Sequence, residues 1–464
     1  MSREIAHDVL RRCAEAGIAE FCVCAGARNV EMVGILAQAE GVKLWNFFEE
    51  RSAGFFAVGR MMKTRRPMAV LTTSGTAVAE LLPSVIEAHY QGLPLVALTA
   101  DRPVEFRGSG APQAIEQVGI FGTYAVDELE GWTQDGPLHL NVCQEEPGGF
   151  VEMEPIVFAE TKRAESLVSG FVDVGAVSLV LAGELHHEVE ESLLALGAPI
   201  WAEATSGVRE SAKLRHLMVQ KPEGLALKRV LRIGGVPSCR LWRDLEERTD
   251  VEVVSLSYTK YSGLARESTC LPMSDFIGTC DRLVEPKWEE SEFAGECGFV
   301  RALSERISRG AAVFLGNSLP IREWNLAATL EDRGLRCFAS RGANGIDGQV
   351  SAFFGMSEGE DESWLVCGDL TAMYDLSAPW ISSQLSEGRR RLVILNNGGG
   401  QIFSKLPAMV GMPEKAKAII ENGHGVRFEH WARMWGMDYH LVMTHEDLAA
   451  AIDGEGVIEI LTEP

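Results

Sequence analysis

The sequence is short of positive charge. Its 43 lysines and arginines face 66 aspartates and glutamates, a formal net charge of −23. That balance disfavours nucleic acid and anionic membrane as partners, because both reward positive surface. It leaves room for a small anionic substrate, which needs only a few local arginines. No apolar run reaches the ~18 residues of a membrane-spanning helix, so no stable membrane insertion is expected. The stretch MSREIAHDVLRRCAEAG at residues 1–17 carries charges throughout and holds no apolar signal core. The ten cysteines are scattered without a C-x-x-C pair, and Cys22 and Cys24 would point the same way on a strand rather than bridge. Such usage suits a reducing, cytoplasmic setting with thiols serving mostly as small core residues. There is no repeat of short period and no low-complexity tract.

What is present is apolar bulk in short, regular pieces. The chain has 464 residues, 46% of them hydrophobic, enough for about three domains of ordinary size. Apolar strands at FCVCAG (21–26), 43–48, MAVLTT (68–73) and PLVALT (94–99) alternate with helices near 2–16, 30–39, 52–63 and 76–90. That rhythm predicts a parallel sheet covered on both faces. The segment 144–166, with EEPGG, reads as a linker. A weaker alternating block follows through VSLVLAG (177–183), a helix near 188–196, PIWAEA (199–204), RVLRIGG (229–235) and VEVVSLS (251–257), ending in an acidic stretch near 284–297. A third block runs through AAVFLGNS (311–318), LRCFAS (335–340), SWLVCGDL (363–370), RLVILNN (391–397) and GVIEIL (456–461). The expectation is three α/β domains with parallel sheets, at 1–150, 167–300 and 301–464.

Two short segments carry chemistry. Cys367-Gly368-Asp369-Leu370-Thr371 and Asn396-Asn397-Gly398-Gly399-Gly400 each follow an apolar strand, with a helix expected near 377–387 between them. Asp369 and Asn397 would then emerge at the carboxyl ends of parallel strands, where open α/β sheets bind ligands. A carboxylate, an amide oxygen and a backbone carbonyl near Gly399 form an all-oxygen set suited to Mg²⁺, which completes its octahedron with water and substrate phosphates. Taken singly, GD and NN are ordinary turn dipeptides. A dinucleotide fingerprint fails, because Phe403 stands where G-x-G-x-x-G needs glycine. At the other end, WNFFEERSAGFF (45–56) sets two acids between apolar bulk. Either they sit on a solvated turn, or one is held in a dry place to move a proton.

The GD…NN pairing resembles the metal-diphosphate motif of thiamine-diphosphate enzymes, a family that carries one catalytic Glu in a separate N-terminal α/β domain. The resemblance narrows with EERSAGFFAVG, TTSGTAVAELLPSVIEA, LTADRPVEFRGSGAPQAIEQ, GNSLPIR, SRGANGIDG and NNGGGQIFSKLP, in that order. Together they are similar to the 2-succinyl-5-enolpyruvyl-6-hydroxy-3-cyclohexene-1-carboxylate synthases of menaquinone biosynthesis. The match covers both outer blocks and is thin across roughly 150–310.

The resemblance implies thiamine diphosphate and Mg²⁺, with Mn²⁺ as an alternative, and 2-oxoglutarate and isochorismate as substrates. It implies Glu50 as the catalytic acid, and Glu49 facing solvent or paired with a base. A carboxyl in an apolar pocket suits such proton transfer, since desolvation raises its pKa. By the same resemblance Asp369, Asn397 and Gly399 hold the metal, while Gly368, Leu370 and Thr371 flank the diphosphate and Ile346 props the cofactor in its bent form. Arg28, Arg102, Arg322 and Arg341, and with a weaker match Arg240, would receive the substrates' carboxylates through planar, bidentate contacts. Gln113 and Ser318 match hydrogen-bonding positions. Ile402, Phe403 and Leu406 match an apolar wall, and Arg107 is left as structural. The family pattern also implies a homodimer, or a dimer of dimers, with the Glu-bearing and metal-bearing domains meeting across subunits.

Three departures touch the isochorismate side. Ala27 lacks a hydroxyl that the family carries, Pro112 replaces an amide, and Cys239 precedes Arg240 where a second base is expected. The middle block is several dozen residues shorter than in typical members, so the central domain is expected to be reduced. Two alternatives therefore stand beside the synthase: a thiamine-diphosphate carboligase or decarboxylase with another acceptor, and a non-catalytic relative that binds the cofactor.

Overall fold

The computed structural model describes residues 2–146, 148, 152–159, 170–288 and 291–462. The chain divides into two compact units. The first comprises Met1–Ala164, Gly342–Gly359 and Met373–Glu387; the second comprises Glu165–Arg341, Glu360–Ala372 and Gly388–Pro464.

The first unit is built on a five-stranded sheet in the order Lys43–Phe47, Glu20–Cys24, Met68–Thr72, Leu95–Asp101, Leu138–Cys143. Every pairing is parallel. Met68–Thr72 and Leu95–Asp101 are buried at every position, as parallel strands covered on both faces must be. One face packs Phe21, Leu71 and Leu98 against Leu10 and Met32 of the flanking helices.

The helix Glu50–Thr64 is buried almost all round, so it must be seated by close packing rather than by an amphipathic stripe. Its partner is the helix Gln349–Ser357, also wholly buried. Glycine makes the crossing: a Cβ on Gly59 would lie 1.8 Å from the Ala352 carbonyl oxygen, and one on Gly355 would lie 2.1 Å from that of Phe56. Asp375 ties the pair to the segment that follows. Buried completely, it accepts from the Ser351 amide at 2.7 Å and the Ser351 hydroxyl at 3.0 Å, with Arg51 at 3.8 Å.

The second unit holds two larger parallel sheets. Five strands run in the order Thr269–Pro272, Glu252–Ser257, Arg229–Ile233, Leu179–Ala182, Ile200–Ala202, with apolar clusters on both faces. A separate parallel pair joins Asp275–Cys280 to Phe171–Val177. The shortened middle block thus still closes a five-stranded sheet. Six further strands run Arg336–Phe338, Ala312–Leu315, Glu362–Gly368, Arg389–Asn396, Gly456–Leu461, Tyr439–Val442. Val313, Val366, Val393 and Ile458 form the centre of that sheet's core.

Local chemistry shifts several expected elements. The helix expected over 76–90 is two pieces, Thr76–Ala79 and Leu82–Gln91, the second restarted with Pro83 in its first turn, where a proline lacks no needed N–H. The helix expected near 377–387 is a 3₁₀ segment, Ala378–Gln384, preceded by the short helix Asp369–Tyr374. The acidic stretch near 284–297 runs into the helix Gly295–Arg306. None of the ten cysteines is joined in a disulfide.

Candidate active site

In the first unit the expected residues gather at the carboxyl edge of the sheet, each just past a strand. Arg28 follows Glu20–Cys24, Glu50 follows Lys43–Phe47, and Arg102 follows Leu95–Asp101. Glu49 is the helix N-cap, accepting from the Arg51 amide at 3.1 Å and the Ser52 amide at 3.0 Å, with the Arg51 side chain 3.6 Å away. That occupation leaves Glu50, the first helical residue, as the uncommitted acid. Burial pushes its carboxyl above the usual range; its own backbone N–H pulls the other way, and the Glu49 and Glu80 carboxylates add to the rise.

Arg28 is buried, and donates to the Gln144 carbonyl at 3.0 Å and the Glu146 carboxylate at 2.6 Å. The Arg102 guanidinium lies over the Phe106 ring at 5.2 Å, and its buried Nε has no hydrogen-bond partner among the described residues. Gln113 is exposed and adopts φ +56°, with its backbone set against Gly75. Arg107 donates to Asp101 at 3.3 Å, in keeping with a structural part. Ile346 is half-buried in the loop that leads into the helix Gln349–Ser357; that loop is pinned by the Glu87 carboxylate, which accepts from the Gly342 and Ala343 amides at 2.7 Å each.

In the second unit Asp369 and Asn397 stand at the ends of the adjacent strands Glu362–Gly368 and Arg389–Asn396. Asp369 accepts from the Leu370 amide at 2.5 Å, the Gly398 amide at 2.9 Å and the Gly399 amide at 3.1 Å. Burial raises its pKa, while those amides and the nearby His424 oppose the rise. The Gly399 carbonyl accepts from the Gln401 amide at 2.9 Å and keeps a second lone pair. Thr371 is buried and Leu370 half-buried. A Cβ on Gly368 would meet nothing within 4 Å, so space is open beside Asp369. Asn397 donates through Nδ2 to both oxygens of Glu296, at 3.1 and 3.3 Å. Its Oδ1 accepts no hydrogen bond among the described residues. A carboxylate, a free amide oxygen and a carbonyl beside open space fit a hard divalent cation carrying a diphosphate.

Glu296 and Glu323 were not foreseen. They face each other, and burial followed by the facing Glu296 carboxylate pushes Glu323 up to about 8. Proton sharing of this kind is expected when two carboxyls occupy one dry place.

The arginines of the second unit separate. Arg341 donates to Asn317 at 3.0 Å and lies 3.8 Å from the buried Glu203. Arg322 bonds the Ser318 carbonyl. Burial lowers its pKa, and the charges of Arg341 and Arg243 lower it further. Arg240 is 75% exposed and pairs with Asp244 at 3.5 Å. Arg243, one helical turn on and also exposed, is the central-region cation whose charge adds to the lowering at Arg322. Ser318 has φ +72°, a conformation that costs a non-glycine residue of order 1–3 kcal/mol and is characteristic of functional sites. Ile402 is half-buried, and Phe403 and Leu406 are 38% and 43% exposed, a partly open apolar wall.

Residues 3–120 match the family described as thiamine pyrophosphate enzyme, N-terminal TPP binding domain. A 2-succinyl-5-enolpyruvyl-6-hydroxy-3-cyclohexene-1-carboxylate synthase from Bdellovibrio bacteriovorus is 39% identical over 94% of this chain and 91% of its own length. The chain belongs to that synthase family. The enzyme of the same name from Akkermansia muciniphila is also 39% identical, over 95% of this chain and 91% of its own, and that from Geobacillus thermodenitrificans is 29% identical over 97% and 91%. The fold is shared with a solved structure from Mycobacterium smegmatis described as thiamin diphosphate-dependent, at a TM-score of 0.68 and 16% identity, covering 100% of this chain and 99% of that one. Membership of the synthase family carries the thiamine-diphosphate enzyme class with it. No helix among the described residues is long and apolar enough to cross a membrane.

Proposed function

We propose that this protein joins 2-oxoglutarate, with loss of CO₂, to isochorismate, using thiamine diphosphate held through Mg²⁺. The observation that carries the reading is the oxygen-only set of Asp369, Asn397 and Gly399 at adjacent strand ends, in a chain whose relatives carry the synthase name over nearly their full length. When bound, thiamine diphosphate supplies a thiazolium carbon that adds to a keto carbon and accepts the electrons released with CO₂. The chain's own residues do the rest. Glu50, its carboxyl raised by burial, gives and takes a proton at the aminopyrimidine ring nitrogen. Asp369, Asn397 and the Gly399 carbonyl would hold the cation, Mg²⁺ or Mn²⁺, while Gly368, Leu370 and Thr371 would line the diphosphate and Ile346 would support the cofactor. Arg28, Arg102, Arg322 and Arg341 receive carboxylates, Gln113 and Ser318 orient them, and Ile402, Phe403 and Leu406 exclude water.

Arg240 and Arg243, on one short helix, are the central-region candidates for a further carboxylate contact, and the bearing of Arg243 on Arg322 favours it. The functional unit is a homodimer or a dimer of dimers. Exposed apolar side chains support an assembled state: Phe48 (58% exposed), edge-on to Trp380 at 5.0 Å, in the first unit, and Val410 (86%) and Met434 (74%) in the second. Ten cysteines outside any disulfide suit work in the cytoplasm.

Product analysis tests the reading. The purified protein, supplied with thiamine diphosphate and Mg²⁺, should release CO₂ from 2-oxoglutarate and form a carbon–carbon adduct when isochorismate is present. Turnover of 2-oxoglutarate with isochorismate ignored would assign a different acceptor; no turnover with the cofactor bound would leave a binding relative.

A further inference from the structure

The Asn397 side chain poses a problem that the metal-site reading does not solve by itself. An amide is nearly symmetric in shape, and only its oxygen can ligate a hard cation. Something must decide which end faces outward. We propose that Glu296 is the positioning residue that turns the Asn397 amide so that its oxygen faces the cation.

The geometry is specific. Nδ2 lies 3.1 Å from one Glu296 oxygen and 3.3 Å from the other, across 101 positions of sequence. An ionised carboxylate only accepts, so it selects the nitrogen and delivers Oδ1 to the opposite side. That oxygen accepts no hydrogen bond among the described residues. Glu296 is held in turn. It lies in the first turn of the helix Gly295–Arg306, where negative charge is favoured. It also faces Glu323, a buried residue of the helix Leu319–Ala327 that follows directly on Arg322. Outer partners of this kind commonly set metal affinity as strongly as they set ligand direction.

Two conservative variants separate positioning from simple attraction between a carboxylate and the cation. Glu296→Gln keeps the acceptor for Asn397 and turns an amide N–H toward Glu323, but removes the charge. Glu296→Asp keeps the charge and withdraws the acceptor by one methylene. The measurement is the Mg²⁺ concentration that half-saturates thiamine-diphosphate binding, followed by calorimetry on the full-length protein. Positioning predicts that Glu296→Gln stays within about threefold of wild type, little more than the worth of one hydrogen bond. It predicts that Glu296→Asp needs about 10–100-fold more Mg²⁺. The melting temperature of the cofactor-free protein, which a purely structural role would move, should stay near wild type in both; aspartate is well tolerated in a first helical turn. Wild-type Mg²⁺ demand in Glu296→Asp would overturn the inference, as would a loss in Glu296→Gln equal to that in Glu296→Asp. The inference rests on the proposed metal-bound cofactor. A wild-type protein that takes up thiamine diphosphate without regard to Mg²⁺ would overturn that reading first, and is told apart by needing no variant.

Discussion

The two compact units hold their acids differently. In the first, Glu50 opens a buried helix with its neighbour Glu49 committed to the cap, and burial raises its pKa. In the second, Asp369 is gripped by three backbone amides, with Asn397 beside it turned by Glu296. Burial raises the pKa of both carboxyls; around Asp369 three N–H groups oppose the rise and fix the direction of its oxygens, which a cation needs. One side-chain chemistry thus serves two tasks, and the number of donors around it decides which.

The comparison can be broken most directly at Glu50. Glu50→Gln should lower the turnover rate by about 10²–10⁴, the usual worth of a general acid–base. Cofactor and Mg²⁺ affinity should change little. An unchanged rate would remove Glu50 from proton transfer. The helix crossing that seats Glu50 gives the next effect. Gly59→Ala would push a methyl to 1.8 Å from the Ala352 carbonyl oxygen, and about 1–3 kcal/mol of stability should be lost in denaturant unfolding. An equal or higher midpoint would mean that the crossing is not close-packed.

Substrate arginines sharpen the second unit's side. Arg322→Met should raise the KM for the dicarboxylate substrate about tenfold or more, while Arg240→Met, exposed and paired only with Asp244, should stay within about twofold. A reversal of that order would return Arg240 to the site. The smallest effect concerns pH. Glu323 binds its proton more tightly folded than unfolded, with a folded value of about 8, so its contribution to stability is present at low pH and lost as pH rises through about 8. Melting of the cofactor-free protein should therefore decline over that range, and Glu323→Gln should flatten the decline. A parallel decline in the variant would assign it to other groups.

Much of this was legible in the sequence because parallel strands announce themselves as short apolar runs. All five strands of the C-terminal sheet that the runs marked form where expected, and the sixth, Tyr439–Val442, escaped because only Val442 is buried. Asp369 and Asn397 were readable because strand ends are where α/β sheets bind ligands. Glu296 and Glu323 were not, since nothing local ties them to Asn397 or to each other; folding alone brings them together. The helix Leu319–Ala327 was hidden inside a motif read for its chemistry, with Pro320 in the first turn that begins it. Arg240 drew attention through its motif, and Arg243, also exposed, was passed over although its charge bears on Arg322.

The most direct test is titration calorimetry of thiamine diphosphate against wild type, Glu50→Gln and Asp369→Asn, each with and without Mg²⁺. The account predicts Mg²⁺-dependent binding of similar strength for wild type and Glu50→Gln, and its loss in Asp369→Asn. Binding by Asp369→Asn as tight as wild type, or binding by wild type that ignores Mg²⁺, would contradict it.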